Sequence, residues 1–251
     1  MEIKRSSFIT GEVIENKAWT DRLYSLKIRA NQMPFKAGQF IRLQLTVDGE
    51  VVTKPYSLVN SPEEADIEVF FNTVDNGRLS NSMAALQSGD TIEVSQPANG
   101  FFVLDTLPDS KHLWMFATST GLGPYISILK TAELWQRFEK IVLVQGVPLL
   151  DELAYTDIIA TWQQEYPQQF RFVSCVTREQ NPTGLQGRVT DLLGKDILEK
   201  HVGLEINPDN SHIMLCGNHN MIDDMKTLLG ERGMSKHLRH KPGHFTTEQY
   251  F

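Results

Sequence analysis

Apolar and polar positions alternate in short runs along the first hundred residues. Ile41, Leu43, Leu45 and Val47 are separated by Arg42, Gln44 and Thr46, the period-two signature of a half-buried strand. Asp48-Gly49 follows as a hairpin turn. Tyr24, Leu26 and Ile28 alternate with Ser25, Lys27 and Arg29, and Ile67, Val69 and Phe71 repeat the pattern. Turn residues recur at Pro34, Gly38, Gly49, Pro62, Gly77, Gly89 and Pro97. Short strands at that spacing predict an antiparallel β-barrel, interrupted by one helix over about Leu79–Leu86.

After Pro108 the pattern changes. His112–Ala117 is a dense apolar run, Pro124–Phe138 has helical spacing with Ile126, Leu129 and Leu134 on one side, and Ile141–Val144 is a second apolar run. A helix near Asp157–Glu165, strands over Phe170–Val176 and His212–Cys216, and a helix over Met221–Leu229 follow. Strand alternating with helix argues for a parallel sheet covered on both faces. The expectation is two domains meeting near residues 105–110: an N-terminal antiparallel β-barrel over 1–107 and a C-terminal α/β domain with a parallel sheet over 108–251.

Composition narrows the chemistry. The 251 residues are 41% hydrophobic and 22% charged, with no apolar run near the roughly 18–20 residues that span a bilayer. Met1–Ser7 lacks the apolar core of a signal peptide, so a cytoplasmic protein without a membrane segment is expected. The net charge of −7 argues against nucleic acid as a partner. Two distant cysteines, Cys175 and Cys216, exclude a thiolate-bound iron–sulfur cluster, and the seven histidines show no ligand spacing, so no metal is expected. Against the acidic whole, Lys236–His244 contains no acid at all.

Three segments carry candidate chemistry. Thr118-Ser119-Thr120-Gly121-Leu122-Gly123-Pro124 joins an expected strand to an expected helix. Read alone it is either a tight turn or a loop whose amides favour phosphate. Leu215-Cys216-Gly217-Asn218-His219-Asn220-Met221 again sits at a strand end before a helix, the edge of a parallel sheet where ligands bind. Lys54-Pro55-Tyr56-Ser57 taken alone is a barrel strand carrying a cation and an aromatic.

In this order the three segments resemble the ferredoxin–NADP reductase superfamily, whose pattern is Arg-x-Tyr-Ser, then Gly-Thr-Gly-x-x-Pro, then Cys-Gly-x-x-x-Met. Phe35–Phe40, Gly100–Leu104, Gly187-Arg188 and the tail Lys236–Tyr250 extend the resemblance to the bacterial members over the whole chain. The resemblance implies FAD on the barrel and NADP(H) on the α/β domain, with hydride exchanged between nicotinamide and flavin and electrons passed to ferredoxin or flavodoxin. On this basis Lys54 meets the FAD pyrophosphate, Pro55 and Tyr56 lie by the flavin, and Ser57 hydrogen-bonds near its reacting nitrogen. Phe70 and Val74 line the ring pocket, Arg78, Leu79 and Ser80 offer backbone donors, Thr120 approaches the flavin, and Tyr250 and Phe251 cover the FAD. Thr177, Arg178 and Arg188 hold the 2′-phosphate, arginine suiting it geometrically. Cys216, Gly217, Asn218, His219, Asn220 and Asp224 serve the nicotinamide cofactor, Ser57 and Cys216 being the groups nearest the chemistry.

Three departures stand out: Lys54 replaces the arginine, Ser119 the usual glycine, and Phe251 the usual terminal tryptophan. The relatives' arginine after the Ile141–Val144 strand is also missing, the segment reading Gln145-Gly146-Val147-Pro148. A monomer is expected, with Lys236–His244 as a docking patch for an acidic carrier. The other readings are a reductase of free flavins or one feeding an oxygenase, and a sensor that holds FAD or NADP without turnover.

Overall fold

The alternation in the N-terminal part is realised as six antiparallel strands in the computed structural model, which describes residues 7–31 and 34–249. These are β1 (Ser7–Ala18), β2 (Leu23–Arg29), β3 (Phe40–Val47), β4 (Glu50–Ser57), β5 (Ile67–Asn72) and β6 (Thr91–Gln96), with helix α1 (Arg78–Ala84) between the last two. The sheet runs β4-β3-β6-β1-β2-β5. An antiparallel bridge between Leu58 and Val69 brings the end of β4 to β5, reinforced by Val59 N–H donating to Glu68 O at 2.8 Å. The sheet thus curls into a barrel, filled by Val13, Leu26, Ile28, Ile41, Leu43, Ile67, Val69, Phe71, Ile92 and Val94.

This first unit comprises Met1–Leu104 and Gly123–Thr131. The second stretch carries α2 (Gly123–Leu129), every residue of which is buried. Ser127 Oγ donates to Asn60 O at 2.6 Å, Phe102 and Tyr125 pack ring on ring at 5.6 Å, and Lys130 Nζ reaches Glu64 at 2.9 Å.

The second unit, Asp105–Leu122 with Ala132–Phe251, is the α/β part. Its strands are β7 (His112–Thr118), β8 (Lys140–Val147), β9 (Phe170–Val176), β10 (Leu185–Gln186), β11 (Ser211–Gly217) and β12 (Phe245–Gln249). All pair in parallel, in the order β10-β9-β8-β7-β11-β12. Its helices are α3 (Ala132–Arg137), α4 (Thr156–Glu165), α5 (Val189–Gly194), α6 (Ile197–Val202) and α7 (His219–Glu231). Trp114, Phe116, Val142, Val144, Ile213 and Leu215 form one apolar face against Leu192, Leu198, Met225 and Leu229 of α5, α6 and α7. The chain starts in the middle of this sheet, builds outward from β7 through β8 to β10, then places β11 and β12 on the other flank. The order therefore reverses between β7 and β11, and the crevice at such a reversal is where open α/β sheets bind ligands.

Two sequence expectations are corrected. The single helix over Pro124–Phe138 is two, because Thr131 ends the first: its Oγ donates back to Ile128 O at 2.7 Å and its N–H to the same oxygen at 3.0 Å, local bonds that compete with helix propagation. Pro124 is then the second residue of α2, still within the first turn, where a missing N–H costs nothing. Ser25, read as an outward residue of β2, is buried and accepts the Trp19 indole N–H at 2.7 Å. Among the described residues, no helix is long and apolar enough to cross a membrane.

Candidate functional site

In the first unit, β4 carries Lys54, Pro55, Tyr56 and Ser57 on an edge of the sheet order. Cross-strand partners share a face, so Lys54 opposite Leu43 and Tyr56 opposite Ile41 stand side by side on the same face of β4. Tyr56 is half-buried, its ring edge-on to Phe71 at 6.1 Å. Burial pushes its phenol up to about 12, so it stays protonated at neutral pH. Ser57 is buried and Pro55 exposed. Lys54 is exposed, and its ammonium group has no hydrogen-bond or ion-pair partner among the described residues. Phe70 is 5% exposed and Val74 50% exposed. Phe70 lies on the face of β5 opposite to Phe71, so the ring that meets Tyr56 is its sequence neighbour.

Helix α1 opens at Arg78, and its first amides have no acceptor within the helix. The Arg78 guanidinium is turned to Glu50 and to Val47 O, each at 2.5 Å. What Arg78, Leu79 and Ser80 can offer a ligand is therefore their backbone. A single uncommitted cation, a neutral aromatic surface and spare amides are a donor set that fits a molecule with a flat ring and phosphates.

The second unit has a cleft of about 530 Å³ at the C-terminal ends of the parallel strands. It is lined by Thr118 and Ser119 at the end of β7, Gly146, Val147 and Pro148 at the end of β8, Thr177 after β9, Arg188, Val189 and Thr190 at the start of α5, and Asn218, His219, Asn220, Met221 and Asp224 at the start of α7. Backbone packing builds it. A Cβ on Gly121 would fall on Cys216 O, and one on Gly217 on Thr118 Oγ1. Gly217 also has φ +147°, a conformation that side chains rarely adopt. Without those two Cβ atoms, Thr118 Oγ1 accepts the Asn218 N–H at 2.9 Å and its amide Nδ2 at 3.2 Å. Asn218 in turn caps α7, its Oδ1 accepting from Met221 N at 2.9 Å. The amides of the first turn of α7 point into the same region as a positive helix end.

Arg188 is exposed, and its guanidinium has no ion-pair partner among the described residues. Arg178 is exposed and follows Thr177; its N–H donates to Pro148 O at 2.9 Å. His219 bonds Asp223 at 2.9 Å and contacts the Gln249 amide. The Lys226 hydrogen bond is the leading cause holding the Asp223 carboxyl below its usual range. Cys216 is buried in β11 between Ala117 and Glu248. Neither cysteine is in a disulfide, and burial pushes the Cys175 thiol up to about 12, which keeps it an inert thiol. Thr120 is half-buried in the turn Ser119–Leu122.

Of the expected residues, Thr177, Arg188, Asn218, His219, Asn220 and Asp224 are gathered into the one cleft, while Cys216, Gly217 and Arg178 adjoin its lining without being part of it. Tyr250 and Phe251 lie outside the described residues. Gly146, Val147 and Pro148 sit in a segment whose sequence signals only a missing arginine, and nothing in the sequence marks Val189 and Thr190. Among the described residues, no group of three or more His, Cys, Asp or Glu could hold a metal ion.

Comparison with known proteins matches both halves. Residues 13–102 match the oxidoreductase FAD-binding domain family and residues 115–227 the oxidoreductase NAD-binding domain family. The chain is 43% identical over 247 residues to a flavodoxin/ferredoxin–NADP reductase of Escherichia coli (strain K12), covering 98% of this chain and 100% of that protein. It is 33% identical to a ferredoxin–NADP reductase of Pseudomonas aeruginosa, over 98% of each chain. In structure it is similar to a ferredoxin NADP+ reductase from Neisseria gonorrhoeae with bound FAD and NADP, with a TM-score of 0.92 and 32% identity, over 97% of this chain and 99% of that one.

Proposed function

The chain belongs to the flavodoxin/ferredoxin–NADP reductase family, and from that premise we propose that it is an FAD enzyme passing electrons between NADP(H) and a ferredoxin or flavodoxin. The observation that carries the reading is the cleft at the β7/β11 reversal, with an Arg188 guanidinium that has no ion-pair partner among the described residues and two glycines where a Cβ would collide with Cys216 and Thr118 and force the strand ends apart. The chemistry supplied by a bound flavin is exchange of a hydride with nicotinamide and of single electrons with the carrier. The protein binds and aligns.

In the first unit, Lys54 and the amides of Arg78, Leu79 and Ser80 neutralise the FAD phosphates, and Tyr56 offers the ring an apolar surface that carries no charge near neutral pH. Ser57 positions the reacting edge, and Pro55, Phe70 and Val74 shape the surroundings. In the second unit, Arg188, Arg178 and Thr177 take the 2′-phosphate, and Asn218, His219 and Asn220 offer donors at the start of α7. Cys216 and Gly217 set the floor for the nicotinamide end, and Asp224 lies along the wall. Residues 1–107 and 108–251 would then be the FAD and NADP(H) portions.

For the carrier, the turn at Leu238–Lys241 is closed by two backbone hydrogen bonds of 2.9 Å and exposes Lys236, Arg239, His240 and Lys241. This cationic finger suits an acidic protein. The test is cytochrome c reduction by the purified yellow protein with NADPH or NADH, each with and without ferredoxin or flavodoxin. NADPH with a carrier should give the fastest rate. A clear preference for NADH, or a rate that neither carrier raises, would defeat the proposal.

A further inference from the structure

The two cations assigned to the 2′-phosphate, Arg178 and Arg188, flank a single loop. The ends of that loop are held by backbone: Thr177 N–H donates to Val147 O at 3.1 Å, Arg178 N–H to Pro148 O at 2.9 Å, and Gly187 N–H to Val176 O at 2.9 Å. Near its start the Glu179 carboxylate accepts the Leu150 N–H, and its middle is held by Asn181. Asn181 Nδ2 donates to Ser174 O and to Ser174 Oγ, each at 3.0 Å, and to Leu185 O at 3.2 Å. Its Oδ1 accepts from Thr183 N at 3.3 Å and from Thr183 Oγ at 3.4 Å. Ser174 is a buried residue of β9 and Leu185 begins β10, so a half-buried amide ties the loop to both strands that bound it. There is no slack around it: a Cβ on Gly184 would fall on Ser174 O and Ser174 Oγ and lie 2.5 Å from Asn181 Nδ2.

We propose that Asn181 is a positioning residue for coenzyme choice, holding Arg178 and Arg188 at the separation that grips a 2′-phosphate. The inference rests on the 2′-phosphate reading of the Arg188 cleft. Charged hydrogen bonds to phosphate depend on where the guanidinium is held, and partners that orient a ligating group commonly matter nearly as much as the group itself. A ligand without the 2′-phosphate makes no demand on this loop, so the effect of losing Asn181 is selective.

The test uses calorimetry on the FAD-loaded full chain, titrated with adenosine 2′,5′-bisphosphate and with 5′-AMP, beside KM values for NADPH and NADH. Wild type should bind the bisphosphate more tightly. Asn181→Ala should weaken the bisphosphate on the order of tenfold and change 5′-AMP by less than about twofold. The KM for NADPH should rise in step, with kcat and the KM for NADH held. Asn181→Asp, which turns a carboxylate toward the same oxygens, should not rescue. Gly184→Ala, which displaces the loop without touching either arginine, should reproduce the selective loss and serves if Asn181→Ala does not fold. If wild type fails to distinguish the two nucleotides, the 2′-phosphate reading falls and the inference with it. If wild type distinguishes them but Asn181→Ala and Gly184→Ala keep the wild-type ratio, or weaken both ligands equally, the role of Asn181 alone is overturned.

Discussion

The two candidate sites are built by opposite means. On β4, the candidate chemistry is side chain: an exposed Lys54, a half-buried Tyr56 and a buried Ser57 on an edge strand. At the β7/β11 reversal, side chains such as Arg188 stand on a frame set by backbone: Gly121 and Gly217 let two strand ends approach so closely that no Cβ fits, and Thr118 and Asn218 lock the approach. A side-chain site can be tuned by exchange, as the lysine in place of arginine already illustrates. A backbone site tolerates no exchange at its closest points. Histidine divides the two units as well, since all seven fall in the second.

The strongest way to break this contrast is Gly217→Ala. It combines a strained φ with a collision against Thr118, and should lower stability by about 2–4 kcal/mol. Chemical unfolding and NADPH titration would measure it, and a wild-type response would show that the strand ends can part freely. Next comes pH. Burial chiefly, then the charges of His237, His244 and Arg137, push His212 from 6.5 down to about 3. Between those values the unfolded chain binds a proton that the folded chain refuses, so stability falls as pH drops. The slope should approach about 1.4 kcal/mol per pH unit. Urea unfolding at pH 7 and pH 5 should show it, with His212→Leu flattening it; an equal slope in both proteins would assign the acid sensitivity elsewhere.

Arg188→Ala should raise the KM for NADPH roughly 10- to 100-fold and leave NADH nearly unchanged, a charged hydrogen bond being worth about 1.5–3 kcal/mol. Equal losses with both coenzymes would remove Arg188 from the phosphate. On the side-chain site the effects are smaller. Lys54→Ala should weaken FAD by about tenfold or less, because an exposed cation is screened by solvent. Lys54→Arg should bind FAD at least as tightly, since it restores the bidentate fork, and weaker binding would show that Lys54 does not face the phosphates. Smallest is Ser119→Gly. Ser119 holds φ +48°, where a side chain costs about 1–2 kcal/mol and glycine's extra freedom returns roughly half of that. A gain of up to about 1 kcal/mol in thermal unfolding is expected, and a loss would mean that the serine hydroxyl contributes to the turn.

Strands with one wet face and one dry face were readable from the chain: β3 with its turn follows its alternation closely, and β2 and β5 follow theirs except at the buried Ser25 and Phe70. The unread elements lack that contrast. In β1 a register shift between Val13 and Glu15 breaks the period, and in β6 Ser95 is buried among its apolar neighbours, accepting the Arg42 N–H at 2.8 Å. β12, Phe-Thr-Thr-Glu-Gln, is a polar edge strand recognisable only beside β11. Helices α5 and α6 are too short for a 3.6-residue repeat to show. For the cleft, the start of α7 was legible because a capping Asn218 and a glycine stand together. Gly146–Pro148, Val189 and Thr190 were not, since it is the folding of β8 beside the start of α5 that brings them to the cleft.

Helix α2 gives the barrel an unusual schedule of completion. The chain leaves the first unit at Leu104, makes Asp105–Leu122 of the second, and returns to supply Gly123–Thr131 before leaving for good. On the ribosome, the six barrel strands emerge before this buried helix, which belongs to the same unit. Its Ser127 and Tyr125, and Lys130 just after it, are already assigned to Asn60, Phe102 and Glu64. A gene cut after residue 107 would therefore yield a barrel with an uncovered apolar groove, and a second fragment carrying an apolar helix without its seat. The two units are distinct in architecture, yet neither is a detachable cassette.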